Sequence, residues 1–403
     1  LEALGDLPAQ IVNQHVSLQV LPEHYPIVGA CLLRAIREVL GAAIATDEVI
    51  AAWGAAYQQL ADILIGAEEQ AYRATAEQTG GWRGARAFRV TRKIAESSEI
   101  TSFYLSPVDG GPVVAHQPGQ YIGLRLILDG QEQRRNYSLS DVANGKDLRI
   151  SVKRDGLISS HLHDRVQVGD WIEARAPQGH FTVQAAERRP LVLLAAGVGI
   201  TPLLSMLREV VYQGQRTRHT RPSWLLQSSR SLADQPFRAE LDRLLENGDG
   251  TVQVVRVLSQ PEPEAQEGVD FDRRGRIDLA LVQEVLQIED YDQADFVLCG
   301  PGSFTQALYD ELRDLDVDDQ RIHAETFGPS TLRRRPDPLA AVIEQPAAAT
   351  EAVTVIFQNA QINARWQPEA GSLLDLAESQ GLRPEFSCRG GSCGTCRTRL
   401  ISG

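Results

Sequence analysis

The sequence predicts a multidomain protein that combines an all-α segment, an antiparallel β-barrel, an α/β domain with a parallel sheet and a small cysteine-containing domain. Three changes in pattern support this order. Residues 1–82 read as helical throughout, residues 83–187 as short alternating strands with Gly/Pro turns, and residues 188–330 as strands alternating with helices. Residues 331–350 are a Pro/Ala-rich linker, and residues 351–403 form the last domain.

Net charge and cysteine usage exclude some classes of partner and indicate a cellular compartment. The formal net charge is −13, which argues against nucleic acid or an anionic membrane surface as a partner. Three of the five cysteines share one short motif, so we expect no disulfide framework and a reducing, cytoplasmic setting. Cys31 is expected to be a buried helix residue, and Cys299 part of a strand-end turn.

One uncharged stretch, Pro190–Leu207, is long enough to suggest a transmembrane helix. It contains Gly197, Gly199 and Pro202. A buried parallel strand, a glycine turn and the start of a helix explain these residues better. The sequence therefore predicts no membrane span.

Two long helices are predicted in the front segment. Pro26–Leu40 has proline at its start and Gly41 directly after its end, and residues 47–78 form an amphipathic pattern closed by Gly80–Gly81. Upstream, His15 lies on an apolar stripe at helical spacing. A histidine in such a stripe is by default a core residue.

Polar motifs in the strand-rich segment are typical of flavin binding. Arg135–Ser138 contains an arginine that can neutralise a pyrophosphate, a tyrosine that can stack on an isoalloxazine ring and a serine that can hydrogen-bond to it. Alone, this short pattern is also compatible with ordinary strand polarity. Pro118–Tyr121 and Gly156–Ser159 accompany it, beside the predicted strands Ile122–Leu128 and Leu148–Lys153.

The α/β segment contains a glycine turn suited to a dinucleotide. Strand Leu191–Ala196 runs into Gly197–Pro202, where glycines let the backbone approach a pyrophosphate and the helix start favours an anion. Because its third position is proline, this motif departs from the ordinary Rossmann fingerprint and is weak alone. Cys299–Pro301, at the end of predicted strand Phe296–Leu298, and Glu325–Pro329 follow later in the segment.

Near the C-terminal end, Cys388, Cys393 and Cys396 have the C-x₄-C-x₂-C spacing of a plant-type [2Fe–2S] site, with glycines that let the backbone fold around a cluster. Such a cluster needs a fourth cysteine, and none follows Cys396. A structural zinc site is the alternative, but no second ligand pair accompanies the motif. A hairpin within residues 352–367 and a short helix over Ser372–Gln380 are predicted ahead of this loop.

In order and spacing, the motifs of residues 85–329 resemble the ferredoxin-reductase family, in which an antiparallel FAD barrel is joined to a nicotinamide-binding α/β domain. The resemblance implies that FAD contacts Tyr121, Arg135, Asn136, Tyr137, Ser138, Gly156, Ile158 and Ser159. It implies that NAD(P)H contacts Gly197, Val198, Gly199, Ile200, Thr201, Pro202, Cys299, Gly300, Pro301, Thr326, Phe327, Gly328 and Pro329. Phe327 would cover the flavin ring where the nicotinamide must enter, with core packing as the alternative.

The nicotinamide preference stays open at this point. Arg230 follows the predicted strand Trp224–Gln227. Its guanidinium could pair with the 2′-phosphate of NADPH, or it could be a solvated loop charge.

The helical front resembles the proximal half of a bacterial flavohaemoglobin globin, which in that family directly precedes such a reductase. The segments that carry the resemblance are Asn13–Ser17, Leu21–Gly29, Ala52–Tyr57 and Gly80–Trp82. It implies that His15 is the proximal ligand of haem b iron, and that Tyr25 and Glu68 are the catalytic groups that hydrogen-bond to its far side. Glu68 and Glu69 point about 100° apart on a helix, and the motif register selects Glu68. A solvated acidic face is the alternative.

The resemblances imply a partial all-α globin, an FAD barrel, a nicotinamide-binding α/β domain and a partial β-grasp ferredoxin. The implied protein is an NAD(P)H-dependent oxidoreductase that passes electrons through FAD to haem iron and oxidises nitric oxide to nitrate with O₂, with a [2Fe–2S] relay. The alternatives are a reductase component that serves a separate oxygenase or other external redox protein, and a haem-based gas sensor. Because the chain begins at Leu1 and its one methionine is Met206, its front is expected to be incomplete, and because no cysteine follows Cys396, its C-terminal end is expected to be incomplete as well. The distal haem residues and the fourth cluster cysteine are then expected outside it.

Overall fold

The computed structural model describes residues 11–12, 15–16, 20–41, 43–128, 130–185, 187–286, 291–327, 332–335, 351–368, 371–382 and 384. The chain divides into two compact units. The first comprises Leu1–Ile94, Ser102–Ser151 and His161–Thr182, and the second comprises Ala95–Thr101, Val152–Ser160 and Val183–Gly403. The predicted domain boundaries stay predictions. Among the described residues, no helix combines the length and the apolar character needed to span a membrane.

The front segment contains two long helices, α1 (His24–Leu40) and α2 (Asp47–Glu77). Helix α1 begins slightly before Pro26, which lies in the first turn, where a missing N–H costs no hydrogen bond. It ends at Gly41, whose φ of 73° is easy for glycine. The side chain of Thr46 caps α2 by accepting a hydrogen bond from Val49 N at 3.4 Å. Both predicted helices are therefore confirmed.

The expectation that Cys31 is buried is wrong. Cys31 lies in α1, but its side chain is exposed. The buried positions of α1 are Tyr25 and Gly29, which are one turn apart and form the face that packs on α2. Cys31 lies outside that face, and the sequence pattern alone did not distinguish the buried face of α1 from its exposed face.

The next six strands form one sheet. They are β1 (Ala85–Ala95), β2 (Ile100–Pro107), β3 (Tyr121–Leu128), β4 (Gln131–Ser138), β5 (Leu148–Lys153) and β6 (Trp171–Arg175), and α3 (Leu157–Asp164) follows β5. The order is β4-β3-β6-β1-β2-β5, and an antiparallel bridge between Leu139 and Ile150 joins the two ends of the sheet. Strand β3 pairs antiparallel with both β4 and β6. This closure gives the predicted antiparallel barrel.

The α/β part contains a six-stranded parallel sheet of order β10-β9-β8-β7-β11-β12. Its elements are β7 (Leu191–Ala196), α4 (Ile200–Thr217), β8 (Ser223–Ser229), α5 (Arg238–Asn247), β9 (Val252–Leu258), β10 (Arg273–Arg274), α6 (Leu279–Leu286), β11 (Asp295–Pro301), α7 (Gly302–Asp314) and β12 (Ile322–Phe327). The chain moves outward from β7 to β10 and then crosses to β11. The switch point thus lies between β7 and β11, where α/β sheets bind their ligands. The uncharged stretch Pro190–Leu207 is the strand, turn and helix start that the sequence predicted.

The last described part is a hairpin followed by a helix. Strands β13 (Val353–Phe357) and β14 (Ile362–Trp366) pair antiparallel, and α8 (Leu373–Ser379) follows them. Ser372 and Asp375 form a capping box at the start of α8. These elements were predicted from the sequence. The motif of Cys388, Cys393 and Cys396 lies outside the described residues.

Candidate redox sites

The structure brings His15, Tyr25 and Glu68 into direct contact. His15 Nδ1 lies 2.6 Å from Glu68 Oε1 and 3.0 Å from the hydroxyl oxygen of Tyr25. The Tyr25 hydroxyl donates to Glu68 Oε1 at 2.5 Å. Glu68 is 2 % exposed and Tyr25 6 % exposed, so these two groups are shielded from water, whereas the His15 side chain is 30 % exposed. Burial, together with the hydrogen bond to Glu68, raises the pKa of Tyr25 well above its ordinary value, so the phenol stays protonated.

Two further tyrosines of α2 fix this cluster, and the sequence reasoning did not identify their roles. The Tyr57 hydroxyl donates to the backbone oxygen of Tyr25 at 2.7 Å, and the Tyr72 hydroxyl donates to Val20 O at 3.2 Å. Burial raises the pKa of Tyr72 to about 12. Tyr72 is four residues after Glu68 on the same helix, and this spacing places both on one face. This four-residue spacing was the feature of the sequence from which the position of Tyr72 beside Glu68 could have been predicted.

The neighbouring Glu69 has a different environment. It forms a bidentate ion pair with Arg83, at 3.0 Å and 2.8 Å. Its side chain is 38 % exposed, whereas that of Glu68 is 3 % exposed. The structure therefore places Glu68, and not Glu69, against His15.

The surroundings of His15 fit a haem. Both side-chain hydrogen bonds of His15 among the described residues use Nδ1, which leaves Nε2 as the ring atom suited to a metal. Helices α1 and α2 also expose large apolar side chains, as an open haem-binding segment would. These are Ile27, Val28, Leu32, Val39, Leu40, Trp53, Leu60 and Ile63.

The candidate flavin residues of β3 and β4 lie side by side. Tyr121 pairs with Ser138, and Ile122 pairs with Tyr137. Along β4, Arg135 and Tyr137 are half-buried, Asn136 is exposed and Ser138 is buried. Burial raises the pKa of Tyr137 to about 12, so its hydroxyl is a hydrogen-bond donor at neutral pH.

A glycine leaves space for the Tyr121 ring. Gly179 has a φ of 113°, and a Cβ atom added there would lie 3.0 Å from that ring. A larger residue would be strained by its backbone conformation and would displace the ring. The arrangement presents an aromatic ring, a buried hydroxyl and a guanidinium on adjacent strands, and this donor set fits a flavin nucleotide.

The turn before α3 holds the second candidate flavin motif. Gly156 has a φ of 88°. Ser159 Oγ accepts a hydrogen bond from Asp155 N at 2.7 Å and donates to Gly156 O at 3.1 Å. Ile158 is buried and anchors the first turn of the helix. The motif therefore has a fixed backbone at a helix start, where an anion is favoured.

The candidate nicotinamide motifs meet at the switch point of the parallel sheet. Gly197 has a φ of 56°, and a Cβ atom at Gly199 would lie only 2.0 Å from Cys299 O. The residues Val198, Ile200, Thr201 and Pro202 complete the turn and the start of α4, and Thr201 Oγ1 donates to Val198 O at 2.9 Å. In the described chain, no side chain caps the start of α4. Its N–H groups thus suit a pyrophosphate.

The end of β12 lies beside the end of β11. Cys299 pairs with Glu325, Gly300 with Thr326 and Pro301 with Phe327. Burial raises the pKa of the Cys299 thiol well above its ordinary value and raises the pKa of Glu325 to about 7. Glu325 Oε2 is buried without a hydrogen-bond partner among the described residues. Phe327 is half-buried, and Gly328 and Pro329 lie outside the described residues.

No group of three or more potential metal ligands occurs among the residues that the structure describes. His15 is a single candidate ligand of the kind that a haem requires. The predicted cluster ligands Cys388, Cys393 and Cys396 lie outside the described residues.

The fold and these sites define a class: a flavin- and nicotinamide-dependent reductase joined to a haem-binding globin segment. Four family models agree with this class. They are "Globin" over residues 1–64, "Oxidoreductase FAD-binding domain" over 87–183, "Oxidoreductase NAD-binding domain" over 193–310 and "2Fe-2S iron-sulfur cluster binding domain" over 358–403. The chain is also 51 % identical over 332 residues to the flavohemoprotein of Pseudomonas aeruginosa, covering 82 % of this chain and 81 % of that protein. It belongs to the flavohemoprotein family.

Solved structures show the same architecture. The flavohemoglobin of Malassezia yamatoensis, determined with bound FAD and haem, has a TM-score of 0.66 at 28 % identity and covers 80 % of this chain and 79 % of its own. The FAD/NAD-binding domain of nitric oxide dioxygenase from Vibrio cholerae has a TM-score of 0.53 at 35 % identity, over 61 % of this chain and all of its own. The predicted family, fold class and set of cofactor-binding domains are thus confirmed.

Proposed function

We propose that this protein oxidises nitric oxide to nitrate with O₂, using electrons from a reduced nicotinamide. The observation that supports this proposal is the direct contact of half-buried His15 with the buried residues Glu68 and Tyr25, in a chain of the flavohemoprotein family. Each nitric oxide takes up one O₂ and one electron to give one nitrate, so one NAD(P)H serves two turnovers. When bound, haem supplies the iron that binds O₂, and FAD converts the hydride of a nicotinamide into single electrons.

His15 would ligate haem iron through Nε2. With its Nδ1–H donating to the Glu68 carboxylate, the imidazole becomes a stronger electron donor to a metal. The Tyr25 hydroxyl donates to the same carboxylate oxygen. This second hydrogen bond orients the Glu68 carboxyl group in a buried place, where a polar group without a partner would be costly.

FAD would be held by Tyr121, Arg135, Asn136, Tyr137, Ser138, Gly156, Ile158 and Ser159. The Tyr137 ring stacks and its protonated hydroxyl donates, the Ser138 hydroxyl hydrogen-bonds, and the Arg135 guanidinium neutralises phosphate. Ser159 holds the Gly156 turn in the conformation in which its backbone meets an anion.

The nicotinamide nucleotide would lie along the carboxyl ends of β7, β11 and β12. Residues 197–202 receive the pyrophosphate at the start of α4, and residues 299–301 and 326–329 border the nicotinamide. Because the Cys299 thiol stays protonated in its buried position, it adds no negative charge where a hydride must approach. Phe327 shields that place from water until a nicotinamide takes its position.

A second function, electron delivery to an external redox protein, is favoured by the match of residues 358–403 to the 2Fe–2S family model. Cys388, Cys393 and Cys396 would be cluster ligands. Plant-type clusters have potentials near about −400 mV, so such a relay suits a low-potential partner. The cytoplasmic location inferred from cysteine usage remains a prediction.

The test supplies the flavin- and haem-loaded protein anaerobically with NADH and records its visible spectrum, then adds O₂ and nitric oxide. Bleaching of the flavin band, a ferrous Soret shift and NADH-dependent formation of nitrate are expected. If nitrate forms no faster than without protein while an external iron–sulfur acceptor is reduced rapidly, the second function replaces the first. Gas binding without NADH consumption would instead identify a sensor and contradict both.

A further inference from the structure

The loop after β8 is where a nicotinamide nucleotide presents its adenosine 2′ group. In open parallel sheets with a glycine turn after the first strand, the end of the next strand meets the adenosine ribose. An acidic residue there accepts from the free 2′-hydroxyl of NADH, whereas an arginine pairs with the 2′-phosphate of NADPH. Here β8 lies next to β7, Ala196 pairs with Ser228, and Arg230 directly follows the strand.

Arg230 is already held by two carboxylates of its own compact unit. Its Nη2 donates to Glu99 Oε1, and its Nε lies 3.2 Å from Asp234 Oδ2. Glu99 belongs to the segment Ala95–Thr101, which is part of the same unit as the α/β sheet. These contacts use the Nη2 and Nε atoms of the guanidinium, and the attraction of Asp234, followed by that of Glu99, raises the pKa of Arg230.

Both carboxylates are fixed by further contacts. Asp234 accepts hydrogen bonds from the hydroxyls of Ser98 at 2.5 Å and Ser231 at 3.2 Å. The second oxygen of Glu99 lies 3.4 Å from Lys153 Nζ. Because a single exposed ion pair is weak, the surrounding network is what holds the exposed Arg230 side chain against Glu99 and Asp234.

The backbone donors of the same loop are also taken. The N–H groups of Leu232 and Ala233 donate to the carboxylate of Glu262, at 2.9 Å and 3.1 Å. Two successive N–H groups of this kind are a common cradle for phosphate. Here the carboxylate of Glu262, which comes from another loop, occupies this position. These hydrogen bonds lower the pKa of Glu262, and the one from Leu232 has the largest effect.

We propose that the protein selects NADH over NADPH, and that Glu99, Asp234 and Glu262 are the residues that exclude the 2′-phosphate. A 2′-phosphate would bring about two negative charges to a loop whose guanidinium and N–H donors already serve three carboxylates. The free 2′-hydroxyl of NADH carries no charge and can donate to a carboxylate. This inference rests on the nicotinamide site of the proposed function.

The test measures binding of adenosine 5′-monophosphate and of adenosine 2′,5′-bisphosphate to the full flavin-loaded chain by isothermal titration calorimetry. The unmodified protein should bind the monophosphate more tightly. In the double variant Glu99→Gln/Asp234→Asn, the ratio of the two dissociation constants should shift toward the bisphosphate by roughly twenty-five-fold, about fivefold for each like charge removed at about 4 Å in water. Single variants should each give part of the shift.

Asp314→Asn is the matched control. Asp314 also pairs with an arginine, Arg335, at 2.7 Å, but at the end of α7 and hence at the opposite edge of the sheet from Arg230. Its ratio of dissociation constants should equal that of the unmodified protein.

Tighter binding of the bisphosphate by the unmodified protein, lost in Arg230→Leu, would overturn the inference and make Arg230 a phosphate ligand. An unchanged ratio in the double variant would also overturn it. In both cases NADH would still bleach the flavin, so the proposed function stands. If neither nucleotide binds and NADH leaves the flavin oxidised, the nicotinamide site itself is wrong and the inference falls with it.

Discussion

Replacing Glu325 with glutamine should make the stability of the protein less dependent on pH. Glu325 Oε2 is buried and has no hydrogen-bond partner within the described part of the chain, and burial raises the pKa of the carboxyl from 4.5 to about 7. Between these two values the folded protein binds more protons than the unfolded chain. The contribution of Glu325 to the free energy of unfolding therefore falls as the pH rises from 4.5 to about 7, and it does not change further above that range.

The size of the effect follows from the raised pKa. Each tenfold change in proton affinity corresponds to about 1.36 kcal/mol. The rise in pKa from 4.5 to about 7 therefore means that ionising the buried carboxyl lowers the free energy of unfolding by at most about 3 kcal/mol above pH 7. Glutamine stays neutral at every pH. For a domain of this size, about 3 kcal/mol corresponds to roughly 6–12 °C in melting temperature.

The assay is thermal unfolding of the flavin-loaded protein, followed by far-UV circular dichroism from pH 4.5 to 9. Glu325→Gln should melt above the unmodified protein at pH 8.5, and the difference should shrink toward pH 4.5. Glu246→Gln, at an exposed position of α5, is the control and should show no such trend. A difference between Glu325→Gln and the unmodified protein that is the same at all pH values would refute the reasoning.

Other substitutions test the remaining sites. Tyr137→Ala should release FAD because it removes the half-buried ring, and a normal flavin absorbance after gel filtration would contradict this. His15→Ala should abolish the Soret band of the haem-loaded protein, and a retained band would exclude His15 as the ligand. Glu68→Gln should retain haem but lower the iron–histidine stretching frequency in resonance Raman spectra, because the amide accepts the Nδ1 hydrogen bond more weakly; an unchanged frequency would argue against the pairing. Gly199→Ala should lower the free energy of unfolding by about 3 kcal/mol or more, because its Cβ would lie 2.0 Å from Cys299 O; denaturant titration measures this, and wild-type stability would show that the turn can relax.

Local patterns account for what the sequence predicted well. The period of two in residues 121–128 and the caps around residues 47–77 are properties of neighbouring residues, and they specify a strand and a helix before any packing is known. Glycines at positions 197 and 199 likewise mark a turn, because Gly197 has a φ of 56° that few other residues tolerate and the close approach of Cys299 O leaves no room for a Cβ atom at Gly199. Strand ends in the parallel sheet differ from the predicted ones by up to three residues, because β11 continues to pair with β12 as far as Pro301, whereas the sequence predicted its end at Leu298.

Side-chain partners were decided by packing. The sequence placed Cys31 in a helix but gave the wrong exposure, because which face of α1 is buried depends on α2. It also left Arg230 open between a phosphate ligand and a solvated charge, because its partner Glu99 is 131 positions away in the chain.

The sequence by itself determined the order of the globin, flavin, nicotinamide and iron–sulfur segments and the motifs within them, since these are short-range features. The resemblance named Glu68 and Tyr25 as partners of His15, but only the tertiary structure placed the three side chains in hydrogen-bonding contact, with Glu68 lying 53 positions from His15 in the chain. The tertiary structure also decided that Tyr72 secures the backbone beside His15. The physical reason is that a buried polar group must find a partner wherever the fold brings one, and helical or strand periodicity carries no information about which distant residue that will be.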